Sequence, residues 1–174
     1  TKYINGHSDA LGGAICTESS AWKDKLNFAQ KALGLNPSPF DCWLITRGIK
    51  TLPLRLERQI NNASKIANQL ADNPVIKSVR YPFRTDHPQC KLAKSQMALG
   101  GAIVTATVNA SQADTYSFCK NLQLFKMAES LGGIESLVCH PATMTHASVP
   151  RETKLKIGIT DSLIRFSVGC EDIE

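Results

Sequence analysis

The chain has 174 residues, of which 43% are hydrophobic and 20% are charged, and its formal net charge is +5 at pH 7. This length allows one large domain or two small ones, and the composition is that of an ordinary globular protein. The lysines and arginines are scattered and no stretch reaches ~18 uncharged apolar residues, which argues against a nucleic-acid-binding patch and excludes a membrane-spanning helix.

Three helices are predicted in the first 70 residues. Apolar residues at helical spacing predict one helix over residues 18–33, with Ser19 or Ser20 as its cap. A shorter helical segment is predicted over 39–47 and a long helix over 52–70. The long helix carries a stripe of apolar residues at spacings of three and four: Leu52, Leu56, Ile60, Ala63, Ala67 and Leu70.

The pattern changes after the long helix, inside which we expect a domain boundary. Short strands are predicted over 75–81, 101–108, 124–128, 136–140 and 162–169. Short helical patterns separate them over 87–97 and 111–122. This alternation favours a small antiparallel or mixed sheet with helices packed on one face.

The six cysteines are widely spaced and contain no CxxC pair: Cys16, Cys42, Cys90, Cys119, Cys139 and Cys170. The spacing matches no zinc-binding pattern, and a chain of this size with a good core does not need disulfides. We therefore expect reduced thiols in a cytoplasmic protein, with no signal peptide and no metal site.

Two basic residues are candidates for chemistry. Lys2 has the usual appearance of a surface charge, but a desolvated lysine can also form a Schiff base with an aldehyde cofactor. Arg165 lies inside a predicted inner strand, where it shares one face with Leu163 and Ser167. Its partner is either a protein carboxylate in a structural salt bridge or a ligand carboxylate held by two parallel hydrogen bonds.

The segment 126–150 concentrates polar groups between apolar strands, as loops and pocket walls both do. It contains Glu129, Ser130, His140 and Thr145. Because Pro141 follows it, we expect His140 to be a turn histidine with satisfied hydrogen bonds rather than a catalytic base.

Five sequence blocks, read together, resemble one enzyme family. In chain order they are TKYINGHSDALGG, RGIKTL, AESLGGIESL, PATMTHASVP and LIRFSVGCEDIE. They look like the Cys/Met-metabolism family of pyridoxal-phosphate enzymes, which includes cystathionine γ-synthase and cystathionine γ-lyase. The resemblance extends over essentially the whole chain and implies the C-terminal half of a longer enzyme, beginning beside its Schiff-base lysine.

The resemblance implies an α/β chain with the type I pyridoxal-phosphate-dependent transferase fold, similar to aspartate aminotransferase. Residues 1–57 would end the large cofactor domain, and residues 58–174 would form the small C-terminal α+β domain. Lys2 would bind pyridoxal 5′-phosphate covalently, and Thr1 would help to hold its phosphate. Arg165 would bind the substrate α-carboxylate. The substrate pocket would also include three residues of the polar segment: Glu129, Ser130 and Thr145.

The implied activity is that of a γ-synthase, which replaces the activated oxygen of an O-acyl or O-phosphoryl homoserine with cysteine to give cystathionine. The alternative is a γ-lyase, which converts cystathionine to cysteine, 2-oxobutanoate and ammonia. A third alternative is that the chain is not an enzyme by itself but a non-catalytic fragment or an assembly module. The implied partners are amino-acid substrates and further copies of the chain in a homotetramer, a dimer of dimers with active sites at the subunit boundary. Neither nucleic acid nor membrane is expected as a partner.

Overall fold

A computed structural model describes residues 1–173, in which helices surround one five-stranded sheet. The helices are α1 (Ser20–Leu33), α2 (Pro39–Ile49), α3 (Leu52–Ala71), α4 (Cys90–Gln96), α5 (Gln112–Asn121) and α6 (Arg151–Lys156). The strands are β1 (Ile76–Arg80), β2 (Ile103–Val108), β3 (Lys126–Met127), β4 (Leu137–Cys139) and β5 (Leu163–Ser167). No helix among these residues is long and apolar enough to cross a membrane.

Serine side chains cap the N-termini of the first two helices. The Ser19 side chain accepts a hydrogen bond from the backbone of Trp22, and Ser38 does the same for Asp41. Thr51 precedes α3, but its side chain makes no capping bond there. Its hydroxyl instead donates to the Gly48 carbonyl and accepts a bond from Arg55. These predicted helices are confirmed, whereas α6 was not predicted because six residues carry too little periodicity to stand out.

The sheet has the strand order β1-β2-β5-β4-β3. All neighbouring strands are antiparallel except β3 and β4, which are parallel. The predicted mixed sheet is therefore confirmed. Strand β5 lies in the middle of this order, between β2 and β4, and its register places Thr105 and Cys139 on either side of Arg165.

The two faces of the sheet have different roles. One face packs against α3 and α5 to form the core, with Val104, Val138, Ile164 and Phe166 buried in it. Side chains alternate along a strand, so Arg165 projects from the opposite face. The predicted division of strand 162–169 into an apolar and a polar face is confirmed. The apolar face packs into the core, and the polar face lies on the opposite side of the sheet.

Helix α3 buries polar side chains as well as apolar ones. Ala63 and Ala67 of the predicted stripe are fully buried, whereas the larger apolar residues of that stripe are half-buried. The other buried side chains of α3 are Arg55, Gln59 and Asn62, here called the α3 polar row. Their spacing of four and three residues places them along one side of the helix.

The two-domain division at residue 57 stays a prediction. Helix α3 continues without interruption through this position. Helix α1 buries none of its residues, and Trp22 and Phe28 are exposed on it by 59% and 75%. The first 50 residues therefore contribute little to the core around the sheet.

All six cysteines are free thiols, and they differ in accessibility. Cys119 is buried between α5 and the sheet, and burial raises the pKa of its thiol to about 11. At pH 8.5 this thiol is almost entirely protonated, and only the thiolate reacts quickly with alkylating reagents. Cys16, in contrast, is exposed.

We predict that iodoacetamide at pH 8.5 modifies Cys16 in the native protein but leaves Cys119 unmodified until urea unfolds the chain. Peptide mass mapping before and after denaturation measures this difference. Modification of Cys119 at the rate of Cys16 under native conditions would contradict the placement of α5 against the sheet.

Candidate active site

Lys2 begins a tight turn, residues 2–6, here called the lysine turn. The backbone N–H of Gly6 donates a 2.8 Å hydrogen bond to the Lys2 carbonyl and closes the turn. The Lys2 side chain is exposed, and its amine has no hydrogen-bond or ion-pair partner among residues 1–173. The backbone is fixed while the amine remains available to a ligand.

Arg55 of α3 holds the lysine turn from inside the protein. Its guanidinium donates to the carbonyl oxygens of Tyr3 at 2.9 Å and Ile4 at 3.3 Å. The same group donates to the Gly48 carbonyl at 2.8 Å, at the C-terminal end of α2. Burial lowers the pKa of Arg55, and the carbonyl oxygens supply the acceptors that water would otherwise provide. A side chain on Gly6 would overlap this guanidinium, and Gly6 also has a positive φ of 77°.

The glycine loop, residues 129–135, lies directly against the lysine turn. Gly132 has φ 78°, and a Cβ atom on it would lie 2.9 Å from the Tyr3 nitrogen and 3.3 Å from the Lys2 Cβ. The Ile134 N–H donates a 2.9 Å bond to the Gly6 carbonyl. Only glycine permits both the backbone conformation and this close approach.

A hydrogen bond joins the glycine loop to the strand that carries Arg165. The Gly132 N–H donates to the Ser167 hydroxyl at 2.8 Å, and Ser167 is fully buried. Ser167 lies two residues after Arg165 and therefore on the same face of β5. Lys2 is thus connected to Arg165 in three steps. Gly132 packs against Lys2, the Gly132 N–H bonds to Ser167, and Ser167 and Arg165 belong to the same strand, β5.

Arg165 has no ion-pair partner among residues 1–173, so the structural salt bridge considered from the sequence is not found there. Its guanidinium is half-buried, and one terminal nitrogen lies 3.4 Å from the Ser130 carbonyl and 3.5 Å from that of Glu129. These long contacts leave donors free, and a guanidinium has five. The group can accept a ligand carboxylate.

Two of the predicted pocket residues lie at this guanidinium, and the third approaches the same face of the sheet. The backbone of Glu129 and Ser130 faces Arg165, with the Glu129 side chain exposed and Ser130 half-buried. Thr145 lies beside Cys139, whose sulfur is 4.0 Å from the Thr145 hydroxyl. Cys139 pairs with Arg165 across β4 and β5, so Thr145 approaches the same face of the sheet.

Thr1 already has a partner for its hydroxyl. It donates to the Gly12 carbonyl at 2.9 Å and lies 3.1 Å from the Gly12 nitrogen. Thr1 and Ser130 both line a cavity of about 330 Å³ beside the lysine turn. Asp9 and Asp41 also line it, and both carboxylates accept hydrogen bonds from neighbouring protein groups. Donation from Thr1 to a phosphate would require its bond to Gly12 to break.

His140 is a structural residue, as predicted. It is fully buried, and its Nε2 lies 2.9 Å from the Asp161 carbonyl, which can only accept. The Thr143 hydroxyl is 2.7 Å from Nδ1 and is placed to donate to it. Both ring nitrogens are therefore satisfied and neither is free to act as a base.

Sequence reasoning missed three residues that build the site: Arg55, Gln59 and Ser167. The Gln59 side chain donates to the Gly133 carbonyl from the α3 polar row. A signal existed for the two α3 residues, because Arg55 and Gln59 are four apart and flank the apolar stripe. No such signal marks Ser167, because a serine in a strand gives no indication of its partner.

Gly132→Ala is predicted to destabilise the protein more than Gly158→Ala, because the two glycines differ only in their surroundings. Gly158 has φ 82°, and a Cβ atom on it would meet no other atom within 4 Å, so its substitution measures backbone strain alone, about 1–2 kcal/mol. Gly132→Ala adds the clash with Tyr3 and Lys2, about 1–3 kcal/mol more. Urea denaturation of both variants tests this; equal losses would contradict the close approach.

Comparison with known proteins identifies the family. The family described as Cys/Met metabolism PLP-dependent enzyme matches residues 1–174. The chain is 49% identical to cystathionine gamma-lyase of Dictyostelium discoideum over 173 residues, which is 99% of the chain and 45% of that protein. It is 48% identical to cystathionine gamma-lyase of Bacillus subtilis (strain 168), over 100% of the chain and 46% of that protein.

A solved structure confirms the predicted fold class. Cystathionine gamma synthase from Xanthomonas oryzae pv. oryzae superposes with a TM-score of 0.93 at 41% identity, over 99% of this chain and 44% of that one. The chain spans less than half the length of the curated relatives named here. On the match over its whole length, the chain belongs to the Cys/Met metabolism family of pyridoxal-phosphate-dependent enzymes.

Proposed function

We propose that this chain supplies the lysine and the substrate-carboxylate site of a pyridoxal-phosphate-dependent trans-sulfuration enzyme that acts at the γ-carbon of an amino acid. One observation carries the proposal: within residues 1–173 the Lys2 amine has no partner and the Arg165 guanidinium has no ion pair, and both residues lie beside the glycine loop. An amine that can act as a nucleophile and a guanidinium that can bind a carboxylate, both beside one loop, suit an amino-acid substrate.

The residues fit pyridoxal 5′-phosphate because Lys2 offers an amine with no competing partner among residues 1–173. When bound, this cofactor acts as an electron sink for the substrate carbon atoms. Lys2 would hold it covalently and, once displaced by the substrate amine, would take and return the proton at the substrate Cα. Thr1 would donate to the phosphate after giving up its bond to Gly12.

Arg165 would bind the substrate α-carboxylate through two parallel hydrogen bonds. Strand β5 suits this task because it is hydrogen-bonded to β2 on one side and to β4 on the other. Ser130 and Thr145 would line the pocket beside the carboxylate. Glu129, whose backbone carbonyl lies 3.5 Å from the Arg165 guanidinium and whose side chain is exposed, would also belong to this pocket.

The proposed reaction is γ-replacement, in which cysteine displaces the activated oxygen of an O-substituted homoserine and cystathionine forms. The similarity to the cystathionine gamma synthase structure supports it. A second candidate is γ-elimination of cystathionine, with water consumed, to cysteine, 2-oxobutanoate and ammonia. The names of the two curated relatives at 49% and 48% identity favour this second reaction.

The two reactions are separated by supplying the full-length enzyme with O-succinylhomoserine or O-acetylhomoserine and cysteine, and in parallel with cystathionine alone. Cystathionine formed from the first mixture at the higher kcat/KM would support replacement. Release of 2-oxobutanoate from cystathionine at the higher kcat/KM would support elimination. A fully loaded enzyme with neither activity would support the non-catalytic alternative instead.

Assembly and location remain part of the proposal. We expect a homotetramer, a dimer of dimers with active sites at subunit boundaries, and analytical ultracentrifugation of the full-length protein measures this. Large apolar side chains on the first 50 residues, such as Leu11 and Phe28, are 76% and 75% exposed and are available for contacts of this kind. The six free thiols suit the reducing conditions of the cytoplasm.

Arg165→Lys is predicted to raise KM for the amino-acid substrate by roughly 10- to 100-fold, because one ammonium cannot replace two parallel bonds worth about 1.5–3 kcal/mol each. Arg80→Lys is the matched control, since Arg80 is exposed on the edge strand β1. Steady-state kinetics on both variants measures the effect. An unchanged KM in Arg165→Lys would remove Arg165 from the substrate site.

A further inference from the structure

The α3 polar row connects the lysine turn, the glycine loop and residues 169–171 to one helix. Arg55 binds the lysine turn, Gln59 binds the Gly133 carbonyl of the glycine loop, and Asn62 binds the carbonyls of Gly169 and Glu171. None of these side chains is positioned to contact a substrate, since all three are at least 90% buried. Their effect on the reaction can only be exerted through the backbone that they hold.

Arg55 has the most extensive contacts in the row. Its NH1 group donates to Tyr3, its NH2 group donates to Gly48 and Ile4, and its Nε donates to the Thr51 hydroxyl. The Arg55 side chain forms no ion pair within residues 1–173. A guanidinium buried with only carbonyl and hydroxyl acceptors is stable only while those acceptors stay in place.

We infer that Arg55 is a positioning residue for Lys2: its guanidinium fixes the lysine turn against α2 and α3 and so sets where the Lys2 amine stands. This inference rests on the proposed role of Lys2. The Tyr3 carbonyl that accepts from Arg55 belongs to the residue next to Lys2, so a shift there moves the Lys2 Cα directly.

The surrounding backbone leaves no substitute for this guanidinium. Gly6 places its Cα against the guanidinium, and a side chain on Gly48 would overlap the Asn5 carbonyl. With Arg55 shortened or uncharged, the carbonyl oxygens of Tyr3 and Ile4 would lose the hydrogen-bond donors of its guanidinium. Gly132 packs against the Lys2 and Tyr3 backbone as well. Misplacement of a reacting group by about 1 Å costs roughly 100-fold in rate.

The test uses three variants of the full-length enzyme. Arg55→Met keeps the length of the side chain but removes its charge and donors. Arg55→Lys keeps the charge but offers a single donor centre. Arg58→Met is the matched control, since Arg58 lies on the same helix with its side chain 47% exposed.

Two readouts are combined: steady-state kinetics, and hydrogen–deuterium exchange of the cofactor-free protein at the Gly6 amide, which closes the lysine turn. For Arg55→Met we expect kcat to fall by roughly 10- to 100-fold with KM for the amino acid nearly unchanged, because Arg165 stands on a different element. Gly6 exchange should accelerate by roughly tenfold or more while β2 and β5 amides keep their protection. Arg55→Lys should restore kcat and Gly6 protection only in part. Arg58→Met should have the kcat and the Gly6 exchange rate of the parent.

The inference is overturned if Arg55→Met keeps the parent kcat and Gly6 protection, or if KM rises as much as kcat falls. Should Arg55→Met not fold, a folded Arg55→Lys with parent kcat and exchange overturns it equally. Failure of the proposed function is a separate outcome: the parent would then take up no pyridoxal phosphate. In that case the exchange data alone still decide whether Arg55 holds the turn.

Discussion

The burial of the Arg55 guanidinium, which has no carboxylate partner among residues 1–173, is the constraint on which the site depends. Arg55 is 7% exposed, and its positive charge is stabilised by carbonyl oxygens of the lysine turn and of the end of α2. Removing such a charge from water costs several kcal/mol unless every donor finds an acceptor. The lysine turn, α2 and α3 therefore behave as one unit, because movement of any one of them alone would leave the buried Arg55 guanidinium without some of its hydrogen-bond acceptors.

A second contact extends this unit to the sheet. Gly132 packs on the Lys2 and Tyr3 backbone and donates to Ser167 on β5. Lys2 and Arg165, which are far apart in the sequence, are thereby fixed relative to each other by the packing of Gly132 and its bond to the Ser167 hydroxyl. Among residues 1–173 their side chains make few bonds, as the proposed roles in binding a cofactor and a substrate require. Arg55, Gly132 and Ser167 hold the backbone of the site in place. The side chains of Lys2 and Arg165 can then serve the proposed reaction.

Much of the fold was predictable because its signals are local. Helical spacing located α1 to α3, period-two alternation placed Arg165 on the face away from the core, and five sequence blocks identified the family. The four-residue spacing of Arg55 and Gln59 beside the apolar stripe places them on one side of α3 but does not predict their burial, since polar residues on a helix are normally expected to face solvent. Their burial depends on segments far along the chain that pack over α3. Likewise, the close approach of Gly132 to Lys2 joins residues from distant parts of the sequence, and no local pattern predicts it.

The proposed function depends on a covalent bond between Lys2 and pyridoxal phosphate. Borohydride reduction of the cofactor-loaded full-length protein, followed by proteolysis and mass mapping of every lysine, tests this bond. We expect a phosphopyridoxyl group on Lys2 and none on exposed lysines such as Lys50. A phosphopyridoxyl group on any other lysine, with Lys2 unmodified, would show that Lys2 does not bind the cofactor.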